Sequence, residues 1–177
     1  MKIQSLRPSR IKNRINITFD DGSYLPFFID DVVRLGLKVD QEADYSELKA
    51  ISTNYLARQY ALRQIAISPK TEKILRQKLS KKYRDYNSDK LIESLLSYLD
   101  DQKYIDYVCK KFKNKSNREI SYRLKLAGIS YSPKLDDRQK ILNIMKKKKN
   151  ISISSLVQRG FAYDDIKTLF AKSSEIE

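Results

Sequence analysis

Residues 116–129 read SNREISYRLKLAGI, a segment that carries its own start, face and stop. Ser116 followed three positions later by Glu119 is a capping box. In it the Ser hydroxyl and the Glu carboxylate satisfy two backbone N–H groups left free at a helix start. Ile120, Leu124 and Ala127 then recur at helical spacing. Gly128 supplies the left-handed residue on which helices commonly end. The phrase is repeated. Residues 71–83 read TEKILRQKLSKKY, and a shift of 45 positions lays Thr71 on Ser116, Leu75 on Ile120, Lys78 on Arg123 and Leu79 on Leu124. Residues 155–166 read SLVQRGFAYDDI, and a shift of 32 lays Leu124 on Leu156, Ala127 on Arg159, Gly128 on Gly160 and Ile129 on Phe161. Units of this size cannot bury a face alone and are stable only when stacked. The repetition predicts a mainly α protein of tandem three-helix repeats in an elongated curved array.

Upstream of the repeats the period changes. Ile15, Ile17 and Phe19 alternate with Asn16 and Thr18, Asp20-Asp21-Gly22-Ser23 follows, and residues 24–29 form an apolar run broken by Pro26. This predicts a β-hairpin around an Asp-Gly turn, with residues 1–6 as an added edge strand. Asp30 and Asp31 then open a short helix over 32–35, which Gly36 ends. Residues 1–41 are thus expected to form a small β module with one short helix.

From Asp44 the apolar positions turn helical: Tyr45, Leu48, Ile51, Tyr55, Leu56, Leu62 and Ile65. Ser68-Pro69 breaks the segment, because the residue before proline avoids the α region. Thr71 caps the next helix, whose face is Ile74, Leu75, Leu79 and Tyr83. Asn87 or Ser88 caps a third with the stripe Leu91, Ile92, Leu95, Leu96 and Leu99. Residues 42–104 make the first repeat. The second, 105–136, opens on Ile105, Val108, Cys109 and Phe112 and is shortened by a linker containing Pro133. The third, 137–177, is compressed. It comprises a basic helix over 137–149 with Ile141, Leu142 and Met145 inward, then two short helices on either side of Gly160, with 172–177 fraying. Tyr83 and Ile74 stand where the second copy has Gly128 and Glu119, so the first copy is expected to turn differently there.

Charge is unevenly spread. The 177 residues carry 36 Lys and Arg against 22 Asp and Glu, net +14. Residues 1–60 hold nine basic and eight acidic side chains, net +1, whereas residues 61–177 hold 27 and 14, net +13. A field confined to the helical part favours nucleic acid, an acidic protein or an anionic surface. The densest basic stretch is 110–125, with Lys110, Lys111, Lys113, Lys115, Arg118, Arg123 and Lys125 against Glu119 alone; Lys78, Lys81 and Lys82 extend it on the first repeat. Most of the stretch falls at one helix end, the turn and the next helix start, where free backbone N–H groups also suit an anion. These ten residues are the candidate binding surface, with Lys113, Lys115 and Arg118 at its centre. Lys146–Lys149 is read as a solvated block, and the twelve tyrosines as packing residues rather than base-stacking platforms.

Absences exclude much chemistry. With no His and one Cys, the chain offers no Ser-His-Asp or Cys-His pair and no His or thiolate metal cage. Cys109 lies among apolar residues and is read as a structural thiol. The paired acids at 20/21, 30/31, 100/101, 136/137 and 164/165 lie at turns or helix starts and are read as caps. No glycine-rich phosphate loop occurs, no signal peptide opens the chain, and no run of about 18 apolar residues is present. The expectations are a cytoplasmic, monomeric protein with no catalytic residue, cofactor or metal.

The order and spacing of four segments resemble the RecX family, regulators of the RecA recombinase. They are ALRQIAISPKTEKILRQKL at 61–79, IESLLSYLDDQKYID at 92–106, KSNREISYRLKLAGI at 115–129 and VQRGFAYDDIKTLF at 157–170. The N-terminal ITFDDGSYLPFFIDDVVRLGLKVDQEAD is similar to the β module some members place before their helices. The resemblance implies three tandem three-helix repeats and no enzymatic activity. It implies binding along the groove of RecA filaments on single-stranded DNA, inhibition of RecA ATP hydrolysis and strand exchange, and a role in homologous recombination, DNA repair and the SOS response. The residues themselves leave two alternatives: a stand-alone basic helical nucleic-acid-binding module and an adaptor for an acidic protein.

Overall fold

A computed structural model describes residues 1–148 and 151–174, with side chains through Ala171. The elements run β1 (Ile3–Pro8), β2 (Arg14–Phe19), β3 (Tyr24–Phe28), α1 (Ile29–Arg34), α2 (Tyr45–Ile67), α3 (Glu72–Lys82), α4 (Asp89–Leu95), a 3-10 turn (Leu96–Tyr98), α5 (Asp101–Lys111), α6 (Asn117–Leu126), α7 (Asp137–Lys147), α8 (Ile153–Val157) and α9 (Tyr163–Ser174). The protein is mainly helical with a three-stranded N-terminal sheet. It divides into two compact units, one made of Met1–Ile67 with Leu75–Leu96, the other of Ser68–Ile74 with Ser97 onward.

In the first unit the strands are antiparallel in the order β1-β2-β3, with Ile17 opposite both Leu6 and Leu25. The alternation read in β2 buries Ile17 and Phe19 on one face. Gly22, at φ +82°, closes the β2–β3 loop, and the Asp21 carboxylate accepts from Ser23 N at 2.9 Å. The neighbouring Ser23, through its side chain first and then through this backbone hydrogen bond, holds Asp21 below the usual carboxylate pKa. Ile3, Ile17, Phe19, Leu25, Phe27, Val32, Leu37 and Leu48 form the core. Pro26 is tolerated because β3 is an edge strand. Its carbonyl accepts from the buried Ser52 hydroxyl of α2 at 2.8 Å.

Three expectations are corrected here. α1 starts at Ile29, not 32, and its acids do not cap it: Phe28 occupies the cap position and Asp31 pairs with Arg34 at 2.8 Å. On α2 the fully buried residues include Ser52, Ala57 and Ala61, while Ile51, Leu56, Leu62 and Ile65 are only half-buried. α2 packs against β3, and small side chains allow such close packing while carrying little hydropathy signal. Leu96 is 46% exposed, because the chain leaves the α-helix at Leu95 and the tighter turn rotates it off the stripe.

Two hydrophobic clusters are defined among the described residues of the second unit. Ile105, Val108, Ile120 and Leu124 join α5 to α6, with the half-buried Cys109 beside them. Burial pushes the Cys109 thiol pKa up, as expected for a structural thiol. Ile141, Ile144, Leu156, Phe161 and Ile166 join α7, α8 and α9. α7 ends at Lys147; Lys149 of the lysine block and the frayed end expected over 175–177 lie outside the described residues, and α9 runs on to Ser174.

Candidate anion-binding surface

α5 ends at Lys111 and α6 begins at Asn117, so the turn between them carries the centre of the basic stretch. Its shape is fixed from several directions. Ser116, in the extended conformation, accepts from Glu119 N at 3.1 Å and so caps α6. Its own N–H donates to Arg159 O at 3.1 Å. Lys140, whose side chain is only 11% exposed, donates to Lys115 O at 3.3 Å, Asn117 Oδ1 at 2.6 Å and Asp137 Oδ1 at 2.9 Å. One buried cation therefore ties the turn to the start of α7.

This geometry overturns two expectations. The capping box is half made: the Glu119 carboxylate pairs with Arg123 at 2.6 Å rather than reaching back to Ser116 N, which the Arg159 carbonyl already occupies. The α6 N-terminus also does not offer an open anion site. Asn117 N donates to both Asp137 carboxylate oxygens, at 3.1 and 3.0 Å, so an internal carboxylate fills the place an external phosphate would take.

The ten candidate residues separate into distinct settings. Lys78, Lys81 and Lys82 lie on α3 in the first unit; the Lys82 ammonium sits 4.2 Å from the Tyr60 ring centroid. In the second unit Lys110, Lys113 and Arg118 are exposed around the α5–α6 turn. Arg123 is engaged internally, its guanidinium 4.2 Å from the Phe112 ring centroid and paired with Glu119. Lys125 lines a separate hollow with Ser121, Ile129 and Tyr131. Lys111 and Lys115 converge on a cleft of about 430 Å³ shared with Phe112, Asn114, Ser155, Gln158 and Arg159. Lys111 Nζ donates to the Tyr107 hydroxyl oxygen at 3.0 Å, which holds the Tyr107 pKa below its usual value. Lys115 Nζ donates to Gln158 O at 3.3 Å.

Arg159 was not among the residues singled out from sequence. Its signal was there, since the repeat register lays it on Ala127, and both residues make an equivalent contact. The Thr71 hydroxyl donates to Ala127 O at 2.8 Å, and Ser116 N donates to Arg159 O. Each helix-capping residue thus meets the carbonyl that precedes a glycine in a later copy. The match spans 56 and 43 residues, a distance that local pattern does not reveal.

The fold and this surface define a mainly helical protein with a small N-terminal sheet and a basic helix junction. Among the described residues no group of His, Cys, Asp or Glu is placed to hold a metal ion, and no helix is long and apolar enough to cross a membrane. No protein-family profile matches the chain. It is 31% identical to the regulatory protein RecX of Clostridium tetani, over 92% of this chain and 89% of that one. It is 27% identical to that of Clostridium botulinum over 95% and 93%. It is 34% identical to that of Clostridium beijerinckii over 68% and 60%. A crystal structure of a regulatory protein RecX aligns with 94% of the chain at 20% identity and a TM-score of 0.48. The chain belongs to the RecX family.

Proposed function

We propose that this protein is a non-enzymatic regulator that binds RecA filaments on single-stranded DNA along their groove. There it inhibits RecA ATP hydrolysis and strand exchange and so modulates recombination and repair. Membership of the RecX family carries the proposal. The exposed cations Lys110, Lys113 and Arg118, helped by Lys78 and Lys81, make polar contacts to DNA phosphates and acidic protein surface. Arg123 instead braces α6 through Glu119 and Phe112. The protein acts as a monomer. Residues 42–104, 105–136 and 137–177 act as tandem helical repeats after the module 1–41. The paired contacts Thr71 to Ala127 and Ser116 to Arg159 support that division, because they recur at the shifts of 45 and 32 positions.

The test is ATP hydrolysis by the cognate RecA on single-stranded DNA, titrated with this protein, with a parallel series in large DNA excess. Inhibition near stoichiometric ratios that extra DNA leaves intact is the expected result. Inhibition abolished by bare DNA would replace this reading with a stand-alone nucleic-acid binder. The triple substitution Lys110→Glu, Lys113→Glu, Arg118→Glu should weaken filament binding without changing the circular dichroism spectrum. Full inhibition by that variant would remove these residues from the interface.

A further inference from the structure

The cleft between the α5–α6 turn and α8 gathers cations from two separate stretches of the chain. Lys111, Lys115 and Arg159 line it with Phe112, Asn114, Ser155 and Gln158, and no carboxylate is among its lining residues. Some cations of the second unit are matched, Arg123 with Glu119, Arg138 with Asp165 and Lys140 with Asp137, while Lys110, Lys113 and Arg118 stand exposed around the turn. Among the described residues Lys111, Lys115 and Arg159 make no ion pair. The Arg159 guanidinium has no hydrogen-bond partner there either. Lys111 and Lys115 each spend one of three ammonium protons, on Tyr107 and on the Gln158 carbonyl. The convergence is imposed by backbone: the hydrogen bond from Ser116 N to Arg159 O brings Arg159 beside Lys115 from 44 positions away in the sequence. Three like charges held together by the fold, with donor capacity unspent, favour an anion in the cleft.

The donor set specifies which anion. A guanidinium fork offers two parallel N–H donors, two ammonium groups supply point charge, and the Ser155 hydroxyl and Asn114 amide can complete a shell around tetrahedrally disposed oxygens. Phe112 closes one wall and lowers the local dielectric, and its ring already lies within 5.7 Å of the Lys111 ammonium. We propose that this cleft is a discrete phosphate-binding site, with Lys111, Lys115 and Arg159 as its charged ligands. The phosphate comes either from a nucleic-acid strand or from a free phosphate compound. The site deepens the filament reading for Lys111 and Lys115 but does not rest on it, because a phosphate would be held whether or not RecA is present.

The test uses the full chain alone, without RecA. Titration with pyrophosphate, followed by 15N–1H correlation spectra, should shift the amide signals of Lys115 and Ser155 saturably. Arg159→Ala and Lys115→Ala should each weaken the apparent affinity about tenfold, the loss of one charge-assisted hydrogen bond. Lys146→Ala removes the same unit of charge from exposed α7 and should leave the affinity unchanged. An (oligo-dT) titration then separates the sources. Competition with pyrophosphate for the same signals assigns the site to a strand phosphate. Oligonucleotide shifts confined to other residues assign it to a free phosphate compound. The proposal is overturned if pyrophosphate produces no saturable shift, or if Lys146→Ala weakens binding as much as Arg159→Ala, which would mean a diffuse field instead of a site. Failure of RecA inhibition would leave this result standing, and failure here would leave the inhibition assay standing.

Discussion

At Gly160 two requirements coincide. Its φ is +86°, and a Cβ there would lie 2.7 Å from Ser116 Oγ and 3.2 Å from Glu119 Cβ. Gly160→Ala should therefore destabilise by about 1–3 kcal/mol in urea unfolding, from strain at positive φ plus the clash. Adding Ser116→Ala removes the clashing oxygen but also the α6 cap, worth about 1 kcal/mol alone. The double variant should be less destabilised than the sum, and strict additivity would place the whole penalty in φ. Asp100 offers a pH-dependent case. It caps α5 by accepting from Lys103 N at 2.9 Å, and that backbone hydrogen bond holds its pKa below the usual value. A depressed folded pKa contributes stability above the unfolded value of about 3.9, lost as pH falls through the folded value. Asp100→Asn should flatten that acid limb, and an unchanged acid profile would show the cap to be energetically silent. Such residues were half legible. Gly160 and Ser116 are conspicuous in the sequence as stop and start, but that they touch each other is not.

The α5–α6–α7 junction depends on one cation buried where the sequence shows only another lysine. Lys140 donates to three groups across the turn and the start of α7. Lys140→Ala should cost roughly 2 kcal/mol, because it leaves the Asp137 carboxylate and the Lys115 carbonyl short of a donor. Lys110→Ala, an exposed cation on the same helix junction, should stay within about 0.5 kcal/mol. Thermal unfolding of both variants, side by side, checks the contrast. Equal losses would mean that Lys140 is no more structural than its neighbours. Helix existence was legible from apolar spacing and from Asp100, Ser116, Asp136 and Ser152, which all cap by accepting backbone N–H. The start of α1 and the fate of Glu119 were not, since tertiary partners outbid the local hydrogen bonds that sequence patterns describe.

For the whole molecule, the net charge of +14 makes salt the natural probe. Each cation that meets a phosphate contributes about 0.7 to the salt slope on single-stranded DNA. Lys110→Glu, Lys113→Glu, Arg118→Glu should lower the slope by about 2, measured by fluorescence anisotropy on bare oligonucleotide. The α3 set Lys78→Glu, Lys81→Glu, Lys82→Glu should lower it less, since Lys82 is already held over the Tyr60 ring. A larger effect from the α3 set would move the main contact surface to the first unit.

By itself the sequence determined the helical class, the N-terminal sheet, the repeated phrase, the family and the concentration of the net positive charge in residues 61–177. The class, the sheet, the repeat and the charge distribution are short-range or compositional properties, fixed by spacing, turn chemistry and residue counts, whereas the family rests on likeness to known sequences. Only the tertiary structure decided which cations face one another. It brought Arg159 to Lys115, gave Asp137 to the α6 N-terminus and sank Lys140 beneath the turn. The reason is physical: lysines and arginines look alike along the chain, and what separates a brace from a free ligand is the partner that packing delivers from 20 or more residues away.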